Sequence, residues 1–272
     1  MKVPVAHHPL KPVLQVADVS FCRGREILHG VSWTVRDGEH WCILGPNGCG
    51  KTSLINLITG YDMATDGVIR LGDDVFGETD WREVRKRVGL VTNTLATFLE
   101  SDEPAVHVVA SGREAQLNVW GSPPKRQIIE AERLMSDLGC LYLRDSLWGV
   151  LSQGEKQKIL ICRAMMAKFK VLILDEPCPG LDPVARDMFL RWLQSLGSRP
   201  DAPALVMVTH HVEEILPCIT HVLMLRGGTV FAAGEKVKTL TSKRLGAVYG
   251  APVKLSCRSG RYRLNLIDRK EA

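Results

Sequence analysis

Hydrophobic and polar residues change rhythm several times along this chain, and the changes mark out its elements. Residues 14–21, Leu-Gln-Val-Ala-Asp-Val-Ser-Phe, come close to alternation, which predicts a strand with one buried face, read as an edge strand. Residues 22–26 form a polar turn, 27–35 a second strand, and Asp37-Gly38 a hairpin signal. Residues 41–44, 88–91, 171–174 and 204–208 are apolar throughout, as expected of parallel strands covered on both faces. Residues 67–74 predict a further hairpin, and 221–225 pairs with 229–232 around Arg226-Gly227-Gly228. Helical spacing runs from 54 to near Gly60, through a short basic helix at 81–87, and through 103–111, 125–138, 159–167 and 184–196. Pro123-Pro124 opens the helix at 125, a position that tolerates proline. Residues 94–150 carry no strong strand signal, so they read as a helical insert in an α/β core. No internal repeat is visible.

The join between the first buried run and its helix carries the clearest chemistry. Gly45-Pro46-Asn47-Gly48-Cys49-Gly50-Lys51-Thr52-Ser53 fits G-x-x-x-x-G-K-T, the phosphate-binding loop. Its glycines let successive N–H groups turn inward on phosphate oxygens, and the helix start adds positive partial charge. Lys51 would reach the terminal phosphates, Thr52 would offer its hydroxyl to Mg²⁺, and Ser53 would support the first helical turn. The run 171–174 ends in Asp175-Glu176, at a strand C-terminus where ligands bind in open α/β sheets. Asp175 is placed to hold Mg²⁺ and Glu176 to orient or deprotonate a water. Leu151-Ser152-Gln153-Gly154-Glu155 fits a helix capping box through Ser152 and Glu155, and such a helix start is also an anion site. Cys49 sits inside the phosphate loop, where a helix start favours thiolate; a small tolerated side chain is the preferred reading.

Composition narrows the class. With 272 residues and 45% hydrophobic content, the chain is one large domain or a core with a subdomain. No apolar run approaches the roughly 20 residues of a membrane span, and residues 1–9 lack the apolar stretch of a signal peptide. The eight cysteines include no C-x-x-C pair, which argues against a zinc site and fits a reducing cytosol. The net charge of +5 is uneven: residues 241–272 hold eight Lys/Arg and two Asp/Glu, leaving the body near neutral at −1. Residues 253–256 and 261–266 alternate around Ser259-Gly260 and suit a small hairpin with a basic face, which is expected to be solvated.

Taken in order, the phosphate loop, LSQGE at 151–155, VLILDEP at 171–177, Gly180-Leu181-Asp182-Pro183 and His210 resemble the nucleotide-binding subunit of an ATP-binding cassette (ABC) ATPase. The likeness covers about 13–235 and implies a P-loop NTPase core of ABC type with an antiparallel β subdomain and an inserted helical subdomain. The expected division is a cassette domain at 13–240, with the insert at about 94–150, and a basic extension at 241–272. The resemblance implies ATP and Mg²⁺ as cofactors and a head-to-tail homodimer. Each ATP would lie between one copy's loop and the other copy's signature, with Ser152 and Gly154 touching the γ-phosphate in trans. Asp182 matches the loop that crosses the dimer seam, although Asp182-Pro183 also suits a helix cap. His210 matches the switch histidine at the γ-phosphate. Continued strand alternation would turn His211 away, so it receives no role.

The chain departs from the family pattern in three places, at four residues. Asn93 stands where Gln is usual, keeping the amide for magnesium but one methylene shorter. Arg23 stands where an aromatic usually stacks on adenine; a guanidinium can stack on a base, and a solvated turn arginine is the equal alternative. Gln153 and Glu155 replace the commoner Gly and Gln, and with 209–215 are similar to some molybdenum-uptake cassettes. The implied role is the energy subunit of a transporter, on the cytoplasmic face of the inner or plasma membrane, with separate membrane-spanning permease chains. The alternative is a soluble cassette acting on ribosomes, RNA or DNA. It is disfavoured because translation types carry two cassettes and repair types a long coiled-coil insert. A binding-only cassette is disfavoured by the presence of Asp175, Glu176 and His210 together.

Overall fold

The computed structural model describes residues 11–117 and 121–267; the leader reading at 1–9 and the last five residues of the basic tail lie outside the described residues. The chain starts with β1 (Pro12–Arg23) and β2 (Arg25–Arg36), then β3 (Trp41–Leu44) and α1 (Lys51–Thr59). Next come β4 (Asp66–Leu71), β5 (Asp74–Val75), α2 (Trp81–Arg85), β6 (Val88–Val91) and α3 (Asn93–Ala96). The insert holds α4 (Ala105–Ser111) and α5 (Lys125–Asp137) and leads into α6 (Gln153–Met166). The core resumes with β7 (Val171–Asp175), α7 (Pro183–Gly197), β8 (Ala204–Val208), β9 (His221–Arg226) and β10 (Thr229–Glu235). It closes with α8 (Lys236–Thr239), α9 (Ser242–Tyr249), β11 (Val253–Arg258) and β12 (Arg261–Leu266).

Two sheets organise these elements. The larger has the order β10-β9-β3-β8-β7-β6, and the smaller the order β2-β1-β4-β5. Every residue of β3, β6, β7 and β8 is buried, which explains why these strands read as continuous apolar runs. The parallel register aligns Asp175 with Val208 and Val208 with Ile43, so β7, β8 and β3 reach one edge together. That edge carries the phosphate loop, Asp175-Glu176 and Thr209-His210. The helical insert packs α4 against both α5 and α6.

Two expectations need correction. β1 is an interior strand, paired antiparallel with β2 on one side and β4 on the other. Alternation reports which face is buried and says nothing about the hydrogen-bonding edges, so it could not show that both edges are used. Asp37-Gly38 is a tight turn, closed by Glu39 N–H to Arg36 O at 3.0 Å, but it does not join a hairpin. It passes the chain from the small sheet to β3, which pairs parallel with β8 and β9. A run buried on both faces finds its lower-energy place inside the large sheet.

Helices α8 and α9 were not visible in the sequence pattern; α9 is a short amphipathic helix of about two turns burying Leu245 and Val248. Beyond it, β11 and β12 form an antiparallel hairpin with Leu255 opposite Leu264. Gly112, just after α4, shows how tightly the insert is packed: a Cβ there would lie 2.0 Å from the Arg163 carbonyl oxygen. Overpacking of this kind costs about 1–3 kcal/mol. Gly112→Ala should therefore lower the urea unfolding midpoint with an unchanged slope, and a midpoint equal to that of the parent would contradict this packing.

Candidate ATP site

The phosphate loop leaves β3 through Gly45, where a Cβ would lie 2.4 Å from the Leu225 carbonyl oxygen and 2.6 Å from Cys49 Sγ. Only glycine allows that approach. Gly50, just before α1, has φ +100°, and a Cβ there would meet Leu28 Cδ2 at 2.4 Å. Lys51 is buried and curls back over the loop, donating to Gly45 O at 2.8 Å and Pro46 O at 3.1 Å. A cation is thus held over a turn already rich in N–H groups. Cys49 is buried, and burial pushes its thiol above the usual range against the pull of Lys51.

The second wall is the end of β7. Asp175 is buried, and burial pushes its carboxyl up, offset first by the Thr52 hydroxyl; Glu176 adds to the rise and Lys51 opposes it. Asp175 Oδ1 is buried without a hydrogen-bond partner, while Oδ2 lies 3.5 Å from the Thr92 hydroxyl. An unpartnered carboxylate oxygen beside a threonine hydroxyl is a hard oxygen donor set, which fits Mg²⁺. Glu176 has φ +50°, an unusual conformation for a residue with a side chain, held by its N–H to Val208 O at 3.0 Å. Such strain is of order 1–3 kcal/mol and tends to collect where function requires it. It turns the Glu176 side chain out of the sheet, where Oε1 lies 3.1 Å from His210 Nδ1.

His210 follows Thr209, whose N–H reaches Ile43 O at 3.2 Å and so continues the β8 register by one residue. The alternation argument for His211 fails here. β8 stops at Val208, the His211 N–H bonds to the Thr209 hydroxyl at 3.0 Å, and the two imidazoles lie 4.0 Å apart.

The remaining sequence-derived positions lie elsewhere or are already engaged. Ser152 caps α6: its hydroxyl donates to Glu155 Oε2 at 2.7 Å, and its N–H donates to the same oxygen at 2.9 Å. Its own oxygen accepts from Glu155 N–H at 3.4 Å, completing the capping box. These bonds hold the Glu155 carboxyl below its usual range. Ser152 and Gln153 are exposed, and among the described residues no hydrogen bond joins 152–155 to 45–53. Gly154 packs on the turn before α7; a Cβ there would lie 2.5 Å from Gly180 O. Asp182 caps α7, accepting from Val184 N–H and Ala185 N–H at 2.9 Å each, which holds its carboxyl low. Arg23 is neither a free stacking group nor a simply solvated one: it is ion-paired with Asp62 and lies 5.5 Å over the Phe21 ring. Asn93 is exposed at the first position of α3. Thr92, to which the sequence drew no attention, is the residue that meets Asp175. No signal in the sequence marks it, because the contact follows from the pairing of Val91 with Leu174, which puts the next residues side by side.

These groups lie together at one sheet edge, and comparison with known proteins shows the family to which the chain belongs. A family model described as ABC transporter matches residues 28–179. The chain belongs to the ATP-binding cassette family. It is 38% identical over 243 residues to YlmA, an uncharacterised ABC transporter ATP-binding protein of Bacillus subtilis strain 168, covering 89% of this chain and 92% of YlmA. It is 32% identical over 221 residues to the molybdenum import ATP-binding protein ModC of Mycobacterium tuberculosis H37Rv, covering 79% of this chain and 58% of ModC. Its fold resembles the dimeric post-hydrolysis structure of the ATP-binding cassette MJ0796 bound to ADP and phosphate. The TM-score there is 0.71 at 20% identity, covering 82% of this chain and 98% of that one. The α/β core with an antiparallel sheet and a helical insert is the cassette fold expected from the motifs. ATP hydrolysis is characteristic of ABC cassettes, so this cassette is an ATPase of a transport family.

Because the Cys49 thiol is buried and held protonated, iodoacetamide should modify the exposed Cys22 and Cys257 and spare Cys49 in the native cassette. Peptide mass mapping checks this; labelling of Cys49 as fast as Cys22 would contradict it.

Proposed function

We propose that two copies of this cassette clasp two ATP molecules head to tail, and that closing and reopening drive transport through separate membrane-spanning subunits. The observation that carries this reading is the shared edge of β3, β7 and β8, where Lys51, Asp175, Glu176 and His210 converge. The phosphates take the loop 45–53, with N–H groups and Lys51 as donors. Thr52 and Asp175 would hold magnesium, which would supply positive charge to the phosphate oxygens, and Asn93, the exposed residue after Thr92, is the amide proposed to join them. Glu176 orients the attacking water and takes its proton, while His210 keeps that carboxylate aimed through the 3.1 Å contact. Ser152 and Gly154 serve the partner's nucleotide, since their hydroxyl and N–H groups are exposed or local in their own chain. Arg23, ion-paired with Asp62, is the residue assigned to meet the adenine base.

No helix among the described residues is long and apolar enough to cross a membrane. The likeness to ABC transporter ATP-binding proteins supports a place on the cytoplasmic face of a membrane, docked on polytopic chains. Recovery of a polytopic chain when the protein is pulled from solubilised membranes supports this; recovery with ribosomes alone would support the soluble alternative instead.

Two substitutions separate binding from chemistry. Lys51→Ala removes a charge-assisted phosphate contact of about 1.5–3 kcal/mol, so the ATP Kd by calorimetry should rise roughly ten- to a hundredfold. Glu176→Gln keeps the site's shape and removes the base; hydrolysis should fall roughly 10²-fold or more while ATP still binds. Turnover of Glu176→Gln at the parent rate would remove Glu176 from this role.

A further inference from the structure

The residues that touch the proposed reacting centre are themselves held by an ion pair with a buried carboxylate that the reading above does not use. Glu214 is only 2% exposed. Its Oε2 accepts the Thr209 hydroxyl at 2.6 Å, directly before His210, and its Oε1 pairs with Arg186 Nη2 at 3.0 Å. Arg186 stands one helical turn into α7, and its N–H bonds to Asp182 O at 2.9 Å. Cys178, two residues beyond Glu176, packs against both partners of the pair; burial and then Glu214 push its thiol up to about 12. Three segments therefore meet at one carboxylate: the exit from β7, the first turn of α7 and the exit from β8.

We infer that Glu214 is a positioning residue: with Arg186 it forms a strut that transmits the placement of Asp182 to His210. This rests on the proposed role of His210. Its physical basis is desolvation. A carboxylate this deeply buried is costly unless both oxygens keep their partners, so the pair resists being pulled apart and its ends move together. The outer side is braced as well, because Glu213 Oε1 accepts Leu264 N–H of the terminal hairpin at 3.3 Å. Arg186 engages Glu214 through Nη2, and its Nε is buried without a hydrogen-bond partner. The strut therefore keeps one donor in reserve, which a small shift of α7 can bring to bear without breaking the existing bond. A partner copy seated at Asp182 would in this way be registered at the Glu176–His210 contact.

The test compares Arg186→Met, Arg186→Lys and Thr209→Val in the full chain, with His210→Ala as the reference. The strut predicts that Arg186→Met and Thr209→Val each lower kcat roughly tenfold or more while the ATP Kd stays within about twofold, because neither touches loop 45–53. Arg186→Lys should restore most of the turnover, since the arginine uses a single charged contact and a lysine can supply one. Arg186→Met leaves the buried Glu214 carboxylate short of one partner, so thermal melts verify folding of each protein, and Thr209→Val, which keeps the ion pair, carries the test if the methionine protein does not fold. Parent-like kcat in both Arg186→Met and Thr209→Val, with His210→Ala inactive, would overturn the strut alone. Loss of kcat matched by an equal loss of ATP affinity would also overturn it, as a general structural defect. Full turnover in His210→Ala would overturn both the strut and the role of His210 beneath it.

Discussion

Parallel strands buried on both faces have to end somewhere, and in this cassette three of them end together. The register of β3, β8 and β7 fixes that common edge. It gathers groups that are costly to leave as they stand: a buried lysine resting on carbonyls, a buried carboxylate oxygen without a partner, and a glutamate in left-handed backbone. Each alone is a modest penalty. Together they fit a ligand that is strongly anionic and carries a divalent cation. The ATPase activity of the family is what such an edge performs.

The helical insert answers a different requirement. Its job in the proposed cycle is to carry Ser152 and Gly154 to a nucleotide held by another molecule. Within the chain these residues close a capping box and pack against Gly180, so the presenting surface is stiff without being consumed by its own fold. Capping and presentation do not compete: the cap uses the Ser152 hydroxyl and the Glu155 carboxylate, and it leaves the helix start facing outward. The neighbouring cap at Asp182 has the same double character. Its two backbone bonds fix the start of α7, and the Arg186–Glu214 pair links that start to the switch segment.

Much of this was legible in the sequence because the decisive features are short-range. A glycine-rich turn between an apolar run and a helix identifies itself within nine residues, and Asp175-Glu176 at a strand end needs no distant partner to be recognised. What escaped depends on tertiary pairing. The alternation in β1 could not reveal that both of its edges are bonded. Asp37-Gly38 has a hairpin's chemistry, yet its two strands belong to different sheets. Arg23 finds Asp62 across 39 positions, and Thr92 meets Asp175 only because β6 lies beside β7. His211 was misplaced by one assumption, that β8 runs on past Val208. Glu214 lies in the 209–215 stretch, but nothing there singled it out; its burial depends on tertiary packing, which periodicity at a chain turn does not disclose.

The central claim is that one copy of this cassette lacks half of each ATP site. Light scattering on the Glu176→Gln protein tests it most directly, with mass measured with and without saturating Mg-ATP. The account predicts twice the chain mass with nucleotide and dissociation when it is removed. A mass of one chain at saturating Mg-ATP, with ATP demonstrably bound, would contradict it.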